Sequence, residues 1–239
     1  MMRKLLDRLK QLPLKAPAMD NFQVAKVLAS HNVEPWFLYA FEEWKNRWHV
    51  WRGLVWAMKH IERDGKVLET GCGCGWNLLW LAANGFNSLT GFDIDASAIA
   101  AGRELSQTAQ YPLRLLWGDA LDPGPLAEAP FRLLLALNWT YHVPSFELGC
   151  FLERYRGLLV PGGVLLLDTI KKSFNKYPKN QYLTSDWTKP QGERRPTEYL
   201  HRFNSAEVLE VATSKGFQIA KRFDRNGAIP RSVYLLRRN

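Results

Sequence analysis

The sequence predicts an α/β fold built on a seven-stranded, mostly parallel sheet with an antiparallel last strand and helices on both faces. Short apolar runs alternate with helical patterns through the middle of the chain, which is the arrangement that produces a parallel sheet. A glycine-rich loop closes the first apolar run, and two further strand patterns follow the last helix. The 239 residues, 46% of them apolar, suffice for one such domain with an appendage.

The hydrophobic pattern assigns each strand and helix in turn. Five strands are expected first, at 66–70, 88–92, 113–117, 131–138 and 162–168. The helices expected between them lie at 76–84, 96–108 and 145–159. A helix at 205–215 then precedes two strands near 217–223 and 230–237, which the turn residues "DRNGAIP" separate.

An N-terminal helical extension, 1–55, is expected to precede the α/β domain, 56–239. Residues 3–12 have the pattern of a short basic amphipathic helix, with leucines on one face and Lys/Arg around it. Such a helix either packs on its own domain or docks on a membrane surface or a partner, and both readings stay open.

The second part of this extension carries an unusual density of aromatic residues. One long helix is expected from Pro35 to about Ile61. Steps of four and three residues place one stripe along it, consisting of Phe37, Phe41, Trp44, Trp48, Trp51 and Val55. We expect this stripe to cover the core of the following domain; an acceptor pocket or a dimer face is the alternative.

The net charge of +9 is unevenly distributed. Residues 16–170 carry twelve Lys/Arg against sixteen acids, whereas 171–239 carry fifteen against six. The excess of positive charge therefore lies outside 16–170. This distribution favours a local surface that meets an anionic group or a membrane over a protein that coats nucleic acid.

The sequence shows no run of eighteen apolar residues and no apolar segment behind its first charges, so neither a membrane span nor a signal peptide is expected. Three cysteines do not make a disulfide framework. These features predict a cytoplasmic protein, with contact to the inner face of the membrane through 3–12 left open.

The stretch "VLETGCGCGWNLL", 67–79, is the main candidate for a ligand site. A metal site is not expected, because a C-x-C pair needs two further ligands and the sequence offers no Cys/His pair to supply them. The nicotinamide motif G-x-G-x-x-G also fails, since Trp76 or Leu78 stands where its third glycine should be. What remains is an acid, Glu69, followed by glycines at alternate positions.

This E-x-G-x-G-x-G loop resembles motif I of the class I S-adenosylmethionine-dependent methyltransferases. "LTGFDID", "LLWGDAL", "FRLLLALNWTYHV" and "LLVPGGVLLLD" resemble the family's later strand motifs, and "HRFNSAEVLEVATSKGFQIAKRF" its last helix and strand pair. The likeness covers roughly 55–239 and implies a Rossmann-like fold. It also implies S-adenosylmethionine as cofactor, bound by Glu69, Gly71, Gly73, Gly75, Asp93, Ile94, Asp119, Ala120 and Asn138.

In that family the acid at the position of Asp93 holds the ribose hydroxyls and the one at Asp119 contacts the adenine amine. Physical chemistry agrees, because glycines let backbone N–H groups approach the methionine part of the cofactor. Glu69 and Asp93 place negative charge beside a sulfonium and an ammonium, which a phosphate-bearing dinucleotide would not tolerate as well. Asp95 is expected to cap the helix that starts at Ala96.

The acceptor is expected beyond the fourth strand, near Asn138, Trp139, Tyr141 and His142. "NWTY" lacks both prolines of the NPPY motif of exocyclic-amine methyltransferases, so O-methylation is favoured. We take Tyr141 and His142 as the catalytic candidates, His142 as a general base near neutral pH. A structural histidine beside the cofactor is the alternative.

Residues 171–203 are expected to form a lid on the acceptor side, because a segment of this length without regular structure is usually a binding element. They interleave eight Lys/Arg with aromatic residues, which suits an anionic group, a stacked base or a sugar ring. A solvated surface insertion is the alternative.

The sequence therefore predicts a methyltransferase for a small-molecule or glycan-like acceptor, which an anionic or membrane-linked acceptor would also satisfy. An RNA methyltransferase is the first alternative, although no RNA-binding module is apparent and the central part is acidic. A non-catalytic scaffold that binds the cofactor is the second.

Overall fold

The computed structural model describes residues 15–34, 36–42, 47–124, 129–174, 201–226 and 229–239. The predicted helix at 3–12, Trp44 and most of the predicted lid lie outside these ranges. The helices described are α1 Asn21–Ser30, α2 Trp36–Glu42, α3 Trp48–Met58, α4 Trp76–Ala83, α5 Ala96–Thr108, α6 Leu148–Leu158 and α7 Ser205–Ser214. The strands are β1 Val67–Thr70, β2 Leu89–Asp93, β3 Leu113–Trp117, β4 Phe131–Ala136, β5 Leu159–Lys171, β6 Arg202–Phe203, β7 Phe217–Arg225 and β8 Arg231–Arg238.

The strands form one sheet in the order β3-β2-β1-β4-β5-β8-β7. Pairings from β3 to β5 are parallel, whereas β8 runs antiparallel to both β5 and β7. The predicted mostly parallel sheet with an antiparallel last strand is thus confirmed. The described part holds one strand more than predicted, the two-residue β6, which pairs with Ile170 and Lys171 beyond the end of β4.

Alternate residues of the central strands enter two different cores. Leu133 and Leu135 of β4 pack with α3, α4 and α5, while Leu134 and Ala136 pack with α6 and α7. The central strands β1, β2 and β4 are buried on both faces for this reason, whereas the edge strands β3 and β7 expose several residues. A third cluster joins α1 and α2 to the outer side of α4 and α5.

The single aromatic helix predicted at 35–61 is wrong in its continuity and in part of its packing. The structure has α2 and α3 instead, and Arg47, with φ −93° and ψ 27°, precedes α3 as its N-cap. Phe37 and Phe41 are buried as predicted, but Trp48 and Trp51 are only half-buried. The buried face of α3 contains His49, Val50, Gly53, Leu54, Val55 and Ala57.

Trp48 and Trp51, which are not on the buried face of α3, pack on neighbouring aromatic rings. The Trp48 ring stacks on Phe223 with centroids 5.6 Å apart, and the Trp51 ring meets Trp80 edge-on at 4.2 Å. Aromatic side chains have modest helix propensity, so ring packing and not helix periodicity decides which of them are covered.

Several boundaries differ from prediction, and the largest differences are in α6 and β5. Helix α6 begins at Leu148, because Ser145–Glu147 form a 3-10 turn, and β5 begins at Leu159, three residues earlier than expected. Helix α3 crosses the predicted domain boundary at 55–56, and the division into an extension and a domain stays a prediction. Within the described residues, no helix has the length and apolar character needed to cross a bilayer.

Candidate active site

The loop after β1 bends tightly against two aromatic rings. Gly71 and Gly73 have φ of +62° and +54°, a region that other residues avoid. A Cβ on Gly71 would lie 2.4 Å from Cδ1 of Trp139, and one on Gly73 would lie 2.4 Å from Cε1 of Phe37. Glycine is therefore required here both by conformation and by space. We call residues 71–75 the glycine bend.

Asp93, at the end of β2, fixes the glycine bend. Its Oδ2 accepts a hydrogen bond from the Gly73 N–H at 2.7 Å, and its Oδ1 accepts one from the Asp95 N–H at 3.0 Å. Burial raises the pKa of this carboxyl, although both backbone hydrogen bonds act against the rise. Asp95 caps α5 as predicted, accepting from the Ala98 N–H at 3.0 Å.

Glu69 of β1 is fully enclosed beside the glycine bend, with 1% of its surface exposed. Its Oε1 accepts from Asn77 Nδ2 at 2.6 Å, while Oε2 is buried with no hydrogen-bond partner among the described residues. Burial raises the pKa of Glu69 to about 8, although the Asn77 hydrogen bond and the nearby Arg47 charge lower it. Glu69 is therefore mainly protonated at neutral pH until a cation comes beside it.

The unpaired Oε2 of Glu69 indicates which kind of cofactor the site can hold. A buried carboxyl with an unused oxygen attracts a cationic group or a hydrogen-bond donor and repels a phosphate. S-adenosylmethionine carries an ammonium and a sulfonium, so the residues present suit its amino-acid end. Backbone N–H groups at the start of α4, where Gly75 has no side chain to cap them, suit its carboxylate.

The residues predicted to hold the nucleoside lie along the carboxyl ends of β2 and β3. The Gly118 N–H donates to the Asp93 carbonyl at 2.9 Å, which joins the two strand ends. Ile94 is 42% exposed, and its carbonyl accepts from Trp117 Nε1 at 2.9 Å. Asp119 is on the same edge, where its carboxylate accepts from the Leu121 N–H at 2.8 Å.

Ala120 lies next to Asp119, and its carbonyl accepts from the Tyr155 hydroxyl of α6 at 2.6 Å. The structure thus brings together Glu69, the glycine bend, Asp93, Ile94, Asp119 and Ala120 at one edge of the sheet. Their contacts with the cofactor stay predictions.

The residues after β4 occupy the same edge, on the other side of β1. Asn138 has a φ of +63°, and its N–H donates to Asp168 Oδ1 of β5 at 2.6 Å. The next side chain, Trp139, lies against Gly71 and meets Phe151 edge-on with centroids 5.6 Å apart. This contact places Asn138 directly beside the glycine bend.

Tyr141 and His142, the predicted catalytic residues, form the 3-10 turn Thr140–His142. Burial raises the pKa of Tyr141, and the guanidinium carbon of Arg231 lies 5.4 Å from its ring centroid. Burial lowers the pKa of His142 to about 4, with a smaller contribution from His201. An imidazole of so low a pKa is neutral and weakly basic, so its role as general base stays a prediction.

Four charged or titratable residues of this region were not predicted from the sequence. They are Arg47, His49, Asp168 and Arg231. His49 Nε2 lies 3.2 Å from Asn138 Oδ1, and Arg231 Nη1 donates to Asp168 Oδ2 at 2.5 Å. The sequence does mark Asp168 as unusual, since it is an acid inside the apolar run "VLLLDTI". The sequence does not mark His49, because the neighbouring tryptophans determine the hydrophobic pattern of this segment.

The two cysteines of the glycine bend are structural. Cys72 and Cys74 are both buried, and burial raises the pKa of each thiol. Neutral, enclosed thiols of this kind act as small apolar side chains.

Comparison with known proteins agrees with this geometry. Residues 67–163 match the sequence model of the family described as "Methyltransferase domain". Ribosomal RNA small subunit methyltransferase C of Alcanivorax borkumensis is 35% identical over 72 residues, which are 29% of this chain and 22% of that enzyme. The match therefore spans less than a quarter of that relative's length.

Solved structures share the fold over most of the chain. Magnesium protoporphyrin IX methyltransferase from Synechocystis PCC 6803, with bound SAH, has a TM-score of 0.61 and 18% identity, over 81% of this chain and 84% of that one. The 1,6-didemethyltoxoflavin-N1-methyltransferase of Burkholderia thailandensis has a TM-score of 0.60 and 18% identity, over 95% and 94%.

The sheet order and the glycine bend define a Rossmann-like α/β domain, a fold in which ligands bind at the carboxyl ends of the parallel strands. Residues 67–163 match a methyltransferase domain, and the chain shares the fold of class I S-adenosylmethionine-dependent methyltransferases; S-adenosylmethionine is the cofactor that this match and the site support.

Glu69→Gln tests the protonation of the buried acid through stability. Because the folded pKa of about 8 exceeds the ordinary 4.5, the folded state holds a proton between these pH values that the unfolded state has released. Stability therefore falls as pH rises through this window, by at most about 1.4 kcal/mol per pH unit. The glutamine side chain cannot ionise, so the variant should lose this decline in urea unfolding measured at pH 5, 6.5 and 8.

Glu153→Gln is the matched control, since Glu153 is exposed and its partner Lys215 lowers its pKa below 4.5. It should keep the wild-type pH profile in this range. Parallel profiles for wild type and Glu69→Gln would show that Glu69 is ionised in the free protein.

Asp93→Ala should weaken binding of S-adenosylhomocysteine by about 1–3 kcal/mol, because it removes the predicted ribose acceptor and the support of the Gly73 N–H. Isothermal titration calorimetry measures the affinity. Asp95→Ala, two residues away, should cost about 0.5–2 kcal/mol of folding stability through the lost helix cap and leave affinity unchanged. An unaltered affinity in Asp93→Ala would contradict the assignment.

Proposed function

We propose that this protein transfers a methyl group from S-adenosylmethionine to an oxygen of a small-molecule or glycan-like acceptor. The observation that carries the proposal is the enclosed Glu69 carboxyl, with its unused Oε2, beside the glycine bend. A buried carboxyl with an unpaired oxygen is costly in the free protein and becomes favourable when a cationic amino-acid group is bound beside it.

The cofactor supplies a methyl group on a sulfonium, which is a good leaving group. The chain then has to align the acceptor, and positioning lowers barriers by about 7–11 kcal/mol in the best cases. The end of β4 is suited to this task, because Asn138 lies beside the glycine bend through Trp139. Tyr141 and His142 follow at the same edge, where a base is needed only if the acceptor is protonated.

Three observations support this proposal, the first for the oxygen and the other two for a small acceptor. The tetrapeptide 138–141 has neither proline of the amine-methylating motif. Two neighbours in fold are named for non-polymeric ring compounds, magnesium protoporphyrin IX and 1,6-didemethyltoxoflavin. The basic and aromatic composition of 171–203, which we propose as an acceptor-side lid, suits an anionic or ring-bearing acceptor. Contact of 3–12 with a membrane surface is part of the same proposal.

RNA is the second candidate acceptor, favoured by the local identity to a ribosomal RNA methyltransferase. The outer face of α3 and β7 is cationic and aromatic: the Arg52 guanidinium carbon lies 5.1 Å from the Trp56 ring centroid, and Lys221 Nζ lies 5.2 Å from it. Such a face could contact phosphates, and its binding would depend steeply on salt.

Incubation with methyl-labelled S-adenosylmethionine and fractionated cell extract tests the proposal. The label should enter the small-molecule or lipid-linked glycan fraction, and Asp93→Ala should abolish most of it. Label in the RNA fraction would establish the second candidate instead. Tight cofactor binding without label in any fraction would identify a non-catalytic scaffold.

A further inference from the structure

A polar cluster lies behind the acceptor edge. It is formed by the buried His49, Asp168 and Arg231 and the partly buried Asn138 and Arg225, and we call it the Asn138 cluster. Asp168 is its centre and has no exposed surface. Its Oδ1 accepts from the Asn138 N–H at 2.6 Å, and its Oδ2 accepts from Arg231 Nη1 at 2.5 Å. The Asp168 carbonyl accepts from the Thr140 hydroxyl. One residue of β5 therefore holds the Asn138 backbone and the Thr140 side chain, on either side of Trp139.

The hydrogen bonds of His49 determine its tautomer. Arg225 Nη1 lies 2.9 Å from His49 Nδ1, and a guanidinium can only donate, so Nδ1 carries the lone pair. The proton of the neutral ring is then on Nε2, which faces Asn138 Oδ1 at 3.2 Å and lies 3.7 Å from Asp168 Oδ2. Burial lowers the pKa of His49 to about 4, which agrees with a neutral ring.

The tautomer in turn orients the Asn138 amide. Because His49 Nε2–H donates, the group facing it is the amide oxygen, and Nδ2 points the other way. Asn138 Nδ2 is buried and has no hydrogen-bond partner among the described residues. Buried amide nitrogens are nearly always paired, so a ligand is the expected partner.

We propose that His49 and Asp168 are positioning residues that hold Asn138 so that its amide N–H₂ donates to an oxygen of the methyl acceptor. The inference rests on the proposed function and narrows the acceptor class. A donor-only group suits a carboxylate, phenolate, carbonyl or hydroxyl oxygen, and disfavours a protonated amine. Because His49 of α3 orients the Asn138 amide, the helix before β1 contributes to the choice of acceptor.

Nitrogen-15 NMR of the protein tests the orientation directly. His49 should appear as the neutral Nε2–H tautomer at pH 7, and the Asn138 side-chain amide should respond to His49→Leu but recover in His49→Gln. Glutamine can donate to Asn138 and accept from Arg225, whereas leucine can do neither. A charged His49, or an Nδ1–H tautomer, would overturn the assigned orientation.

Kinetics test the role in the reaction, using the extract fraction that takes label from S-adenosylmethionine. His49→Leu should lower methyl transfer by about 100-fold through misplacement, with affinity for S-adenosylhomocysteine unchanged. His49→Gln should restore most of the rate. Asn138→Asp, which removes the donor at constant size, should lose the rate even where His49→Leu fails to fold.

His60→Leu is the control for the loss of an imidazole near α3, since His60 accepts from Arg237 at 3.1 Å outside the Asn138 cluster. It should match wild type. Loss of S-adenosylhomocysteine affinity in His49→Leu and Asn138→Asp would mean that the amide serves the cofactor carboxylate, and would overturn the proposal. If wild type labels no fraction, the proposed function fails, while the NMR result still decides the orientation of Asn138.

Discussion

The carboxylate of Asp93 accepts hydrogen bonds from the backbone N–H groups of Gly73 and Asp95, and thereby ties the glycine bend to the end of β2. The bend can turn there only because Gly71 and Gly73 adopt positive φ and leave room for two aromatic rings. Those rings, Phe37 from α2 and Trp139 after β4, bring the N-terminal helices and the acceptor edge against the bend. The relative placement of the three parts of the site therefore depends on this one carboxylate.

Two buried acids in the site are compensated in different ways. Asp168 is met by the Arg231 guanidinium and by a backbone N–H, so both its oxygens have partners. Glu69 has a single amide donor and an unused oxygen, which is why burial raises its pKa so far. A buried acid whose oxygens all have hydrogen-bond or ion-pair partners within the protein stabilises the fold. A buried acid with an unpaired oxygen is suited to binding a ligand of opposite charge. This contrast distinguishes the supporting side of the site from its binding side.

Much of the fold could be predicted because β1, β2, β4 and the central part of β5 are apolar runs buried on both faces, and the glycines at 71, 73 and 75 stand at fixed spacing. The helix predicted at 35–61 failed because its pattern contained too many aromatic residues to mark one face. Trp48 and Trp51 fit the expected stripe, yet they pack on Phe223 and Trp80 at the periphery. Long-range ring contacts of this kind leave no local signal in the sequence.

The candidate cofactor residues could be proposed from sequence since each one lies near the end of a strand or in the loop that follows it, and parallel strands end at a common edge. The Asn138 cluster could not, because its members come from α3, the end of β4, β5, β7 and β8, which are distant in sequence and adjacent only through the sheet order. Strand β8 is antiparallel to β5, so Arg231 at its start faces the end of β5 that carries Asp168. A parallel strand in that place would bring its last residue there instead. The reversal of the last strand thus supplies the cation that compensates Asp168, which links the fold's topology to the orientation of the Asn138 amide.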